Sequence, residues 1–542
     1  MIRENDIPEY ALQPAKGPEL ASAKGIYAVE EIFCPSETVE VRYQFEEDVL
    51  VPDIKADMAE ILLLDGMARV SPREKEVIPK TDDLLNLTGE LELKIIYRST
   101  DEKDNLVSIK SRIPYKYQWN LNPEKKCLGK FSCSINQLDY TIVNERKFRI
   151  KAELVFVGVY YGSNQYQLFQ GISDEELETR EEKVNFTSLA MTKGDTVEID
   201  EYFAASDREV SPESILIQDF VITENYKQVT AEKIVINGFV YCNFLYQGTY
   251  RTGDEEESVL RHHSQRVEFT QFIPIDKKQR GKKWNCCKTD FAGSNMEVSI
   301  SVTEEKEYNF HVKGMVETSV DLYENLQRKV ITDAYHLDKN FTCTFGKKKL
   351  FNMVALSSAE TSVREIISFP KDVKVKEILF CDGKVKDCRA VCEKGRVNVN
   401  GNIGCKILWQ DRDGCCNKYE ETLGFRGTME ESEIEANHQA HCKCVVKNLW
   451  CELINESQME VNIQILICGE ITEEKTLMIP ENPGFLSSVK AEPRYPMTIA
   501  LASEKESLWN MAKKYKTTCQ QISQVNNLEE DPQPGQKILI VR

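Results

Sequence analysis

Three segments of the chain alternate apolar and polar residues in the same way, and each contains a glycine inside the alternating run. An aromatic residue follows each glycine eight positions later, giving the pairs Gly89/Tyr97, Gly238/Tyr246 and Gly401/Trp409. Alternation with a period of two predicts half-buried β-strands. A glycine inside such a strand predicts a bulge or the close approach of another backbone.

A second shared feature follows each segment, in the form of two alternating runs joined by a short polar connection. The connections lie at Asn144-Glu145, Glu304-Glu305 and Asn455-Glu456. Successive glycines are 149 and 163 residues apart. This spacing is too long for a solenoid repeat, but it suits a common domain size. The pattern therefore predicts three copies of one β-rich domain.

Polar, turn-rich stretches set the predicted boundaries between these domains. We expect an irregular segment over 1–40 and β-rich domains over 41–190, 208–346 and 365–478. Linkers are expected over 192–207 and 347–364, and a short amphipathic pattern over 174–184 predicts a helix. Prolines are frequent after residue 479, which predicts a partly stiff tether over 479–494.

The C-terminal segment, 495–542, has a different pattern. An apolar strand with Met497, Ile499 and Leu501 comes first. An amphipathic helix over 508–515 follows, and Ser507 is a good N-cap for it.

A second helix is predicted to open at Thr517-Thr518, with Ile522 and Val525 on its apolar face. It should end at Asn526-Asn527, because asparagine tolerates the left-handed conformation that closes a helix. After the Pro534-Gly535 turn, 537–541 alternates like a strand. The order strand, helix, helix, strand predicts a small α+β module, so the chain as a whole is predicted to be mainly β and multidomain.

Composition and charge narrow the class of protein. The 542 residues are 41% hydrophobic and 29% charged, which is typical of domains with real cores. The net charge of −19 argues against binding to nucleic acid or to an anionic membrane surface. The N-terminus lacks the apolar core of a signal peptide, and no apolar run is long enough to span a membrane. We therefore expect a cytoplasmic chain without direct membrane insertion.

The chain lacks the sequence signatures of common enzymes, such as a Gly-rich phosphate loop, a Gly-x-Ser-x-Gly elbow or a His-Glu-x-x-His helix. We expect no catalytic residues and no cofactor. The best metal candidate is the cluster of His438, His441, Cys442 and Cys444, whose side chains suit zinc. A strand starting at Cys442 would point the two cysteines to one side and His441 to the other, so no metal site is predicted.

Ten of the eighteen cysteines lie between Cys381 and Cys468. Without a secretion signal, they are expected to be reduced thiols. The alternative is that an exposed pair such as Cys415-Cys416, in the turn after Trp409, forms disulfides between molecules.

The C-terminal module resembles a LysM domain. The matching residues are Leu508, Ala512, Tyr515, Ile522, Asn526, Asn527 and the run 534–538. One departure lies before the first helix, where this chain has Lys505-Glu506-Ser507-Leu508 and the family usually has Gly-Asp-Thr-Leu. In glycan-binding members, the resemblance implies, this loop borders the sugar groove.

Two kinds of ligand stay open for the module, a glycan held by the loops 503–508 and 526–532, or a protein partner. Trp509 follows a residue expected to face the core, so it should either point outward as an interface anchor or cover the core's edge. Lys513 belongs to a basic patch on the same helix, or to a merely solvated face. The candidate residues for protein or glycan binding are Ser503, Glu504, Lys505, Glu506, Ser507, Trp509, Lys513, Asn526, Asn527, Leu528 and Pro532.

Three β-rich domains followed by a LysM module resemble the SPOCS-domain/LysM spore coat morphogenetic proteins of spore-forming Firmicutes. The resemblance implies a non-enzymatic adaptor in the mother-cell cytoplasm that assembles at the forespore surface. It further implies that the LysM module docks to the coat's morphogenetic ATPase, stage IV sporulation protein A. The β-domains would organise other coat proteins, for instance by strand addition at exposed sheet edges.

The alternative function is binding of peptidoglycan, a polymer containing N-acetylglucosamine, through the LysM module. A hydrolase with a LysM targeting tail is the least favoured class, because the body offers no catalytic cluster.

Overall fold

The computed structural model describes residues 20–71, 78–79, 84–100, 106–120, 127–173, 176–205, 207, 209–252, 255–280, 282, 284, 286–303, 307–370, 373–486, 496–504 and 506–541. Within these ranges the body is built from strands, apart from one 3₁₀ turn at Lys277–Gln279, and both α-helices lie in the C-terminal module. The predicted fold class, mainly β with a small α+β module, is confirmed. No described helix has the length and apolar character needed to cross a membrane.

The strands of the body fall into three sets with the same order. Each set has a long first strand, then a three-stranded antiparallel meander, then a hairpin whose second strand pairs with the long first strand. We call these sets copy 1, copy 2 and copy 3. After the short strand β1 (Leu20–Ser22), the strands of copy 1 are β2 (Gly25–Leu50), β3 (Met58–Ser71), β4 (Ile78–Pro79), β5 (Leu84–Ser99), β6 (Leu106–Asn120), β7 (Cys127–Asn144) and β8 (Lys147–Ile172).

Copies 2 and 3 repeat this order without the two-residue strand β4. The strands of copy 2 are β9 (Glu178–Ala204), β10 (Val210–Val229), β11 (Lys233–Thr252), β12 (Glu255–Pro274), β13 (Cys286–Val302) and β14 (Tyr308–Tyr335). Those of copy 3 are β15 (Phe341–Ser368), β16 (Val375–Glu393), β17 (Arg396–Asp411), β18 (Cys416–Glu430), β19 (Gln439–Asn455) and β20 (Gln458–Leu486). In each copy the meander packs against the other sheet and encloses a separate apolar core, so each copy is a two-layer sandwich.

The repeated glycine lies at a close approach of two backbones, as its position in the strand pattern predicts. A Cβ atom on Gly89 would lie 2.1 Å from the carbonyl oxygen of Arg69, and one on Gly401 would lie 2.4 Å from that of Asp387. An aromatic side chain also covers each glycine from the neighbouring strand of the meander. The cross-strand pairs are Gly89/Tyr115, Gly238/Phe269 and Gly401/Phe425.

The aromatic residue eight positions later is buried in the core of its own sandwich. Opposite it, the first strand of each meander contains a β-bulge at the same place, at Leu62, Leu216 and Leu379. A bulge breaks the two-residue alternation. Two consecutive apolar side chains therefore face away from the sandwich core, and they need another surface to cover them.

Equivalent residues of the three copies provide that surface for one another. They meet in one buried group, the axial cluster, which contains Leu62, Leu63 and Ile96 of copy 1, Leu216, Ile217 and Leu245 of copy 2, and Leu379, Phe380 and Leu408 of copy 3. The far ends of the long paired strands form a second three-copy group, which includes Ile32, Phe169, Phe186, Val330, Leu350 and Ile479. The copies therefore surround a common axis, with a quasi-threefold arrangement.

Each copy has an aspartate at the same position next to the axial cluster. Across the meander, Asp65 lies opposite Lys94, Asp219 opposite Asn243, and Asp382 opposite Lys406. Lys94 Nζ donates to the carbonyl oxygen of Gln218 in copy 2 at 2.6 Å, and Lys406 Nζ donates to that of Leu64 in copy 1 at 2.7 Å. The junction from copy 2 to copy 3 has Asn243 instead of a lysine, and the asparagine Oδ1 has no hydrogen-bond partner among the described residues.

Asp382 is the acidic residue at that junction. Burial raises its pKa to about 7, and repulsion from the Asp65 carboxylate adds to the shift. Lys384 forms an ion pair with Asp65. Burial alone would raise the pKa of Asp65, but the charge and hydrogen bond of Lys384 outweigh burial and leave this pKa below its usual value.

The N-terminal end of the described chain closes the arrangement. Strand β1 pairs antiparallel with the end of β20, so that Leu20 lies opposite Leu486 and Ser22 opposite Gly484. Copy 1 is thus joined to copy 3 by backbone hydrogen bonds as well as by the shared clusters.

Several predicted boundaries are wrong, and they share one cause. The described part of the segment expected to be irregular, and most of the linkers expected over 192–207 and 347–364, lie in the strands that open the sheets, mainly β2, β9 and β15. The helix expected over 174–184 is strand from Glu178 onward. Each long first strand is a sheet edge with one paired neighbour. Edge strands carry many polar and charged residues, so their sequence is similar to that of a linker.

The predicted tether is also different in part. Residues 479–486 continue strand β20, while 487–494 lie outside the described residues.

Candidate partner-binding site in the C-terminal module

The C-terminal module has the predicted order of elements, β21 (Met497–Leu501), α1 (Leu508–Tyr515), α2 (Cys519–Asn526) and β22 (Lys537–Val541). Ser507 caps α1 by accepting from the Asn510 amide, and Thr518 forms a capping box with Gln521. Asn527 ends α2 in the left-handed conformation, with φ of 51°. The predicted caps are therefore confirmed. One core assignment is wrong, since Ile522 is buried but Val525 is 41% exposed.

Asn526 holds the second helix to the closing strand. Its Oδ1 accepts from the Leu539 amide at 2.7 Å, and its Nδ2 donates to the carbonyl oxygens of Leu539 and Ile522 at 2.6 and 2.9 Å. Both atoms of the side-chain amide are therefore used inside the module. Among its predicted neighbours, Asn527 is exposed, Leu528 is half-buried against the core and Pro532 is buried.

In the loop before the first helix, backbone amides donate hydrogen bonds to carboxylates. The Ser503 amide and hydroxyl donate to Glu506 Oε2 at 3.0 and 2.6 Å, and the Leu508 amide donates to Asp531 Oδ1 at 2.8 Å. The hydrogen bonds from Ser503 lower the pKa of Glu506, so this carboxylate stays ionised at neutral pH. Glu504 is exposed, and Lys505 lies outside the described residues.

The outer face of the two-stranded sheet is apolar and exposed. Met497, Ile499 and Leu501 are 61%, 68% and 65% exposed. On the inward side, the small side chains of Ala500 in β21 and of Ala502 just after it are buried, and Ala500 packs in the core with the helices. The sequence did not distinguish these faces, because alternation alone does not say which side is covered. The alternating alanines were the available signal, since close packing of helices on a short strand requires small residues.

Trp509 and Lys513 contact copy 2 of the body. The Trp509 indole Nε1 donates to Asp333 Oδ2 at 2.8 Å, and Lys513 Nζ lies 2.6 Å from Asp333 Oδ1. The Trp509 ring also meets the Tyr335 ring edge to face, with 5.0 Å between centroids. Trp509 is half-buried as a result. This contact was not predicted, because it joins residues more than 170 positions apart in the sequence.

The metal and disulfide candidates of the body lie apart from this module. Cys442 and Cys444 face the copy 3 core and His441 faces outward, as predicted from strand alternation. No group of three or more His, Cys, Asp or Glu in the described ranges is arranged to hold a metal ion. Cys416 is buried in the axial cluster and Cys415 is half-buried, so this pair is not exposed as the disulfide alternative requires.

Comparisons with protein families identify two regions of the chain. Residues 374–454 match the family model described as SipL, SPOCS domain, and residues 503–541 match the LysM domain model. The chain carries a SPOCS domain and a LysM domain. This combination is the one predicted from the resemblance to SPOCS-domain/LysM spore coat morphogenetic proteins. Comparisons with curated proteins and with solved structures gave no match.

The SPOCS match covers the meander of copy 3 and the first strand of its hairpin, and it leaves out β15 and β20. Copies 1 and 2 share the strand order, the glycine and the bulge of this matched copy. SPOCS and LysM domains are non-catalytic binding domains, and together they indicate a protein of spore coat formation. The LysM class includes domains that bind peptidoglycan.

Proposed function

We propose that this protein is a non-enzymatic adaptor in spore coat assembly. Its LysM domain docks to the morphogenetic ATPase at the forespore surface, stage IV sporulation protein A, and its three joined copies organise other coat proteins. The protein acts from the mother-cell cytoplasm. The identity of the partner comes from the family resemblance, and the structural features below support a protein ligand over a glycan.

The observation that carries the proposal is the exposed apolar face of Met497, Ile499 and Leu501. Each side chain is more than 60% exposed, and they stand in a row on one strand. Contiguous apolar surface of this kind marks protein–protein contact sites more often than sugar sites, which rely on hydrogen-bonding groups. We therefore assign the main partner contact to this face.

The loop beside the sheet also favours a protein ligand. The family resemblance implies that glycan-binding LysM domains hold sugars through backbone hydrogen bonds in this region, and here two backbone amides of the loop already donate to Glu506 and Asp531. A glycan would have to displace these carboxylates. The exposed or half-exposed rim residues remain proposed contacts, and they are Ser503, Glu504, Glu506, Ser507, Asn527 and Leu528.

The body supports the scaffold part of the proposal. Three similar sandwiches fixed around one axis present three similar outer surfaces. The meander strands β6, β12 and β18 are sheet edges that another chain can extend. Several weak contacts of this type add up when they are linked in one body.

Binding of peptidoglycan through the LysM domain is the second candidate function. The LysM family match favours it, because the class includes peptidoglycan binders. In that case the rim residues would hold the sugar, and the apolar strand face would have no direct role.

The proposal is tested by the affinity of the full chain for the purified ATPase. Ile499→Asp should weaken binding at least tenfold, because it places a charge in the centre of the apolar face. The matched control is Val525→Asp, which makes the same change at an exposed aliphatic residue elsewhere in the LysM domain. Equal affinity of wild type and Ile499→Asp would contradict the assignment.

A further inference from the structure

The first helix of the LysM domain is seated on one short segment of copy 2. Asp333 accepts from the Trp509 indole and from Lys513 with its two carboxylate oxygens. Tyr335 packs against the Trp509 ring and donates its hydroxyl to the carbonyl oxygen of Thr517 at 2.7 Å. Burial raises the pKa of Tyr335, so its phenol keeps the proton that this bond requires.

The contact made by Asp333 and Tyr335, called the seat below, is specific to copy 2. In copy 1, Gly171 pairs with the long first strand just beyond a bulge, as Asp333 does in copy 2. The equivalents of Asp333 and Tyr335 are therefore Gly171 and Ser173, which offer neither a carboxylate nor a ring. In copy 3 the corresponding end of β20 is paired with β1. Of the three equivalent ends of the long paired strands, one carries the residues that contact the LysM domain.

Asp333 and Tyr335 have the chemistry of a peptide ligand bound to a protein recognition surface. An ionised carboxylate accepts charge-assisted hydrogen bonds from an ammonium and a neutral one from an indole, and such bonds are short and directional. An edge-to-face aromatic pair adds geometric specificity. The two groups are two residues apart on a strand, so they project to the same side. The LysM helix therefore recognises a carboxylate and an aromatic ring on an extended segment.

We propose that Asp333-Ala334-Tyr335 is an internal ligand of this helix face. A partner that reaches the face competes by presenting the same chemistry, a carboxylate and an aromatic ring two residues apart. The statement about the partner rests on the proposed function, whereas the internal contact does not. A tethered segment acts at an effective concentration that reaches millimolar, so a competing partner must bind more tightly or be locally concentrated.

One face of the LysM domain is then free to bind a partner, while the other is covered by copy 2. The apolar face of Met497, Ile499 and Leu501 is open while the helix face is seated on copy 2. A partner can first bind the open face, and then displace Asp333 and Tyr335 from the helix face.

The internal contact is tested by fluorine NMR on the full chain labelled with 5-fluorotryptophan. The chain has five tryptophans, and Trp509→Phe assigns the Trp509 resonance. The double substitution Asp333→Gly with Tyr335→Ser imports the residues of copy 1. It should remove the docked Trp509 resonance and produce one at a more solvent-exposed position. The other four resonances should stay in place, which reports that the variant is folded.

Ser173→Ala, at the equivalent position of copy 1, is the matched control and should leave all five resonances unchanged. A Trp509 resonance that is identical in wild type and in the double variant would overturn the internal contact.

The recognition chemistry is tested on the same double variant with a peptide of residues 329–338. Millimolar peptide should move the Trp509 resonance back toward its docked position, and a peptide with both Asp333 and Tyr335 changed to alanine should not. No response to the first peptide, or equal responses to both, would overturn the claim that the helix face reads these two groups. Neither arm uses the ATPase, so failure here is separate from failure of the proposed function.

Discussion

The body and the LysM domain are held in the molecule in different ways. Each copy of the body contributes equivalent side chains to clusters that all three copies share. The LysM domain encloses a core of its own, to which the body adds Tyr335 as a buried side chain. Damage to one copy therefore removes a surface that the other two require, whereas the LysM domain can leave its seat with its own core intact. The difference suits an adaptor, with a cohesive scaffold and a separable binding domain.

The largest expected effect comes from a charge placed in the axial cluster. Leu245 is fully buried there. Leu245→Asp should lower the free energy of unfolding by about 5 kcal/mol, because it buries an unpaired carboxylate and removes apolar contacts from all three copies. Urea unfolding followed by circular dichroism gives the measurement.

Ile366→Asp is the control for that substitution, because Ile366 lies in copy 3 and is 60% exposed. Its effect should stay within about 0.5 kcal/mol. If Leu245→Asp leaves the unfolding of copies 1 and 3 unchanged, the copies are independent and the comparison with the LysM domain fails.

The second effect is a pH dependence from Asp382. Its pKa is about 7 in the folded protein, whereas the ordinary value for an aspartate is 3.8. The contribution of the protonated carboxyl to stability is complete below the unfolded pKa and is lost as the pH rises through the folded pKa. Between pH 4 and pH 7 this single group should cost the folded state at most roughly 4 kcal/mol.

Asp382→Asn should remove that loss and stabilise the body at pH 8 relative to wild type. Asp219→Asn is the matched substitution at an equivalent position that has a lysine partner, Lys94 at 3.3 Å. It should destabilise the body instead. Thermal unfolding at pH 5 and pH 8 measures both, and equal pH dependence in wild type and Asp382→Asn would contradict the assignment.

The smallest expected effect concerns the seat of the LysM domain. Asp333→Gly with Tyr335→Ser should change the free energy of unfolding of the body by less than about 1 kcal/mol, because these side chains point to the LysM domain. The measurement is urea unfolding of the full chain. A loss of several kcal/mol would mean that the LysM domain is an integral part of the body's core.

The sequence was sufficient for the features that depend on local chemistry. The glycine and aromatic positions identified the meander of each copy, because a close backbone approach excludes a side chain at Gly89, Gly238 and Gly401. The caps of the LysM helices were predicted for the same reason, since Ser507, Thr518 and Asn527 satisfy local backbone groups. The elements of the LysM domain followed from these caps and from short-range alternation.

The features that the sequence did not reveal depend on contacts between distant residues. The long first strands are stabilised by pairing with β8, β14 and β20, whose paired residues lie 90 or more positions away in the chain. The axial cluster could not be predicted for the same reason. A bulge leucine such as Leu216 has the same local sequence pattern whether it faces solvent or a neighbouring copy. The contact of Trp509 with Asp333 is of the same kind.

The central claim is that the LysM domain of this chain binds a protein at the forespore surface. The most direct test is retention of the purified full chain on two supports in parallel, one carrying the morphogenetic ATPase and the other insoluble peptidoglycan. We expect retention on the ATPase that is lost in Ile499→Asp, and no retention on peptidoglycan. Retention on peptidoglycan alone, unaffected by Ile499→Asp, would contradict the account and favour the glycan-binding function.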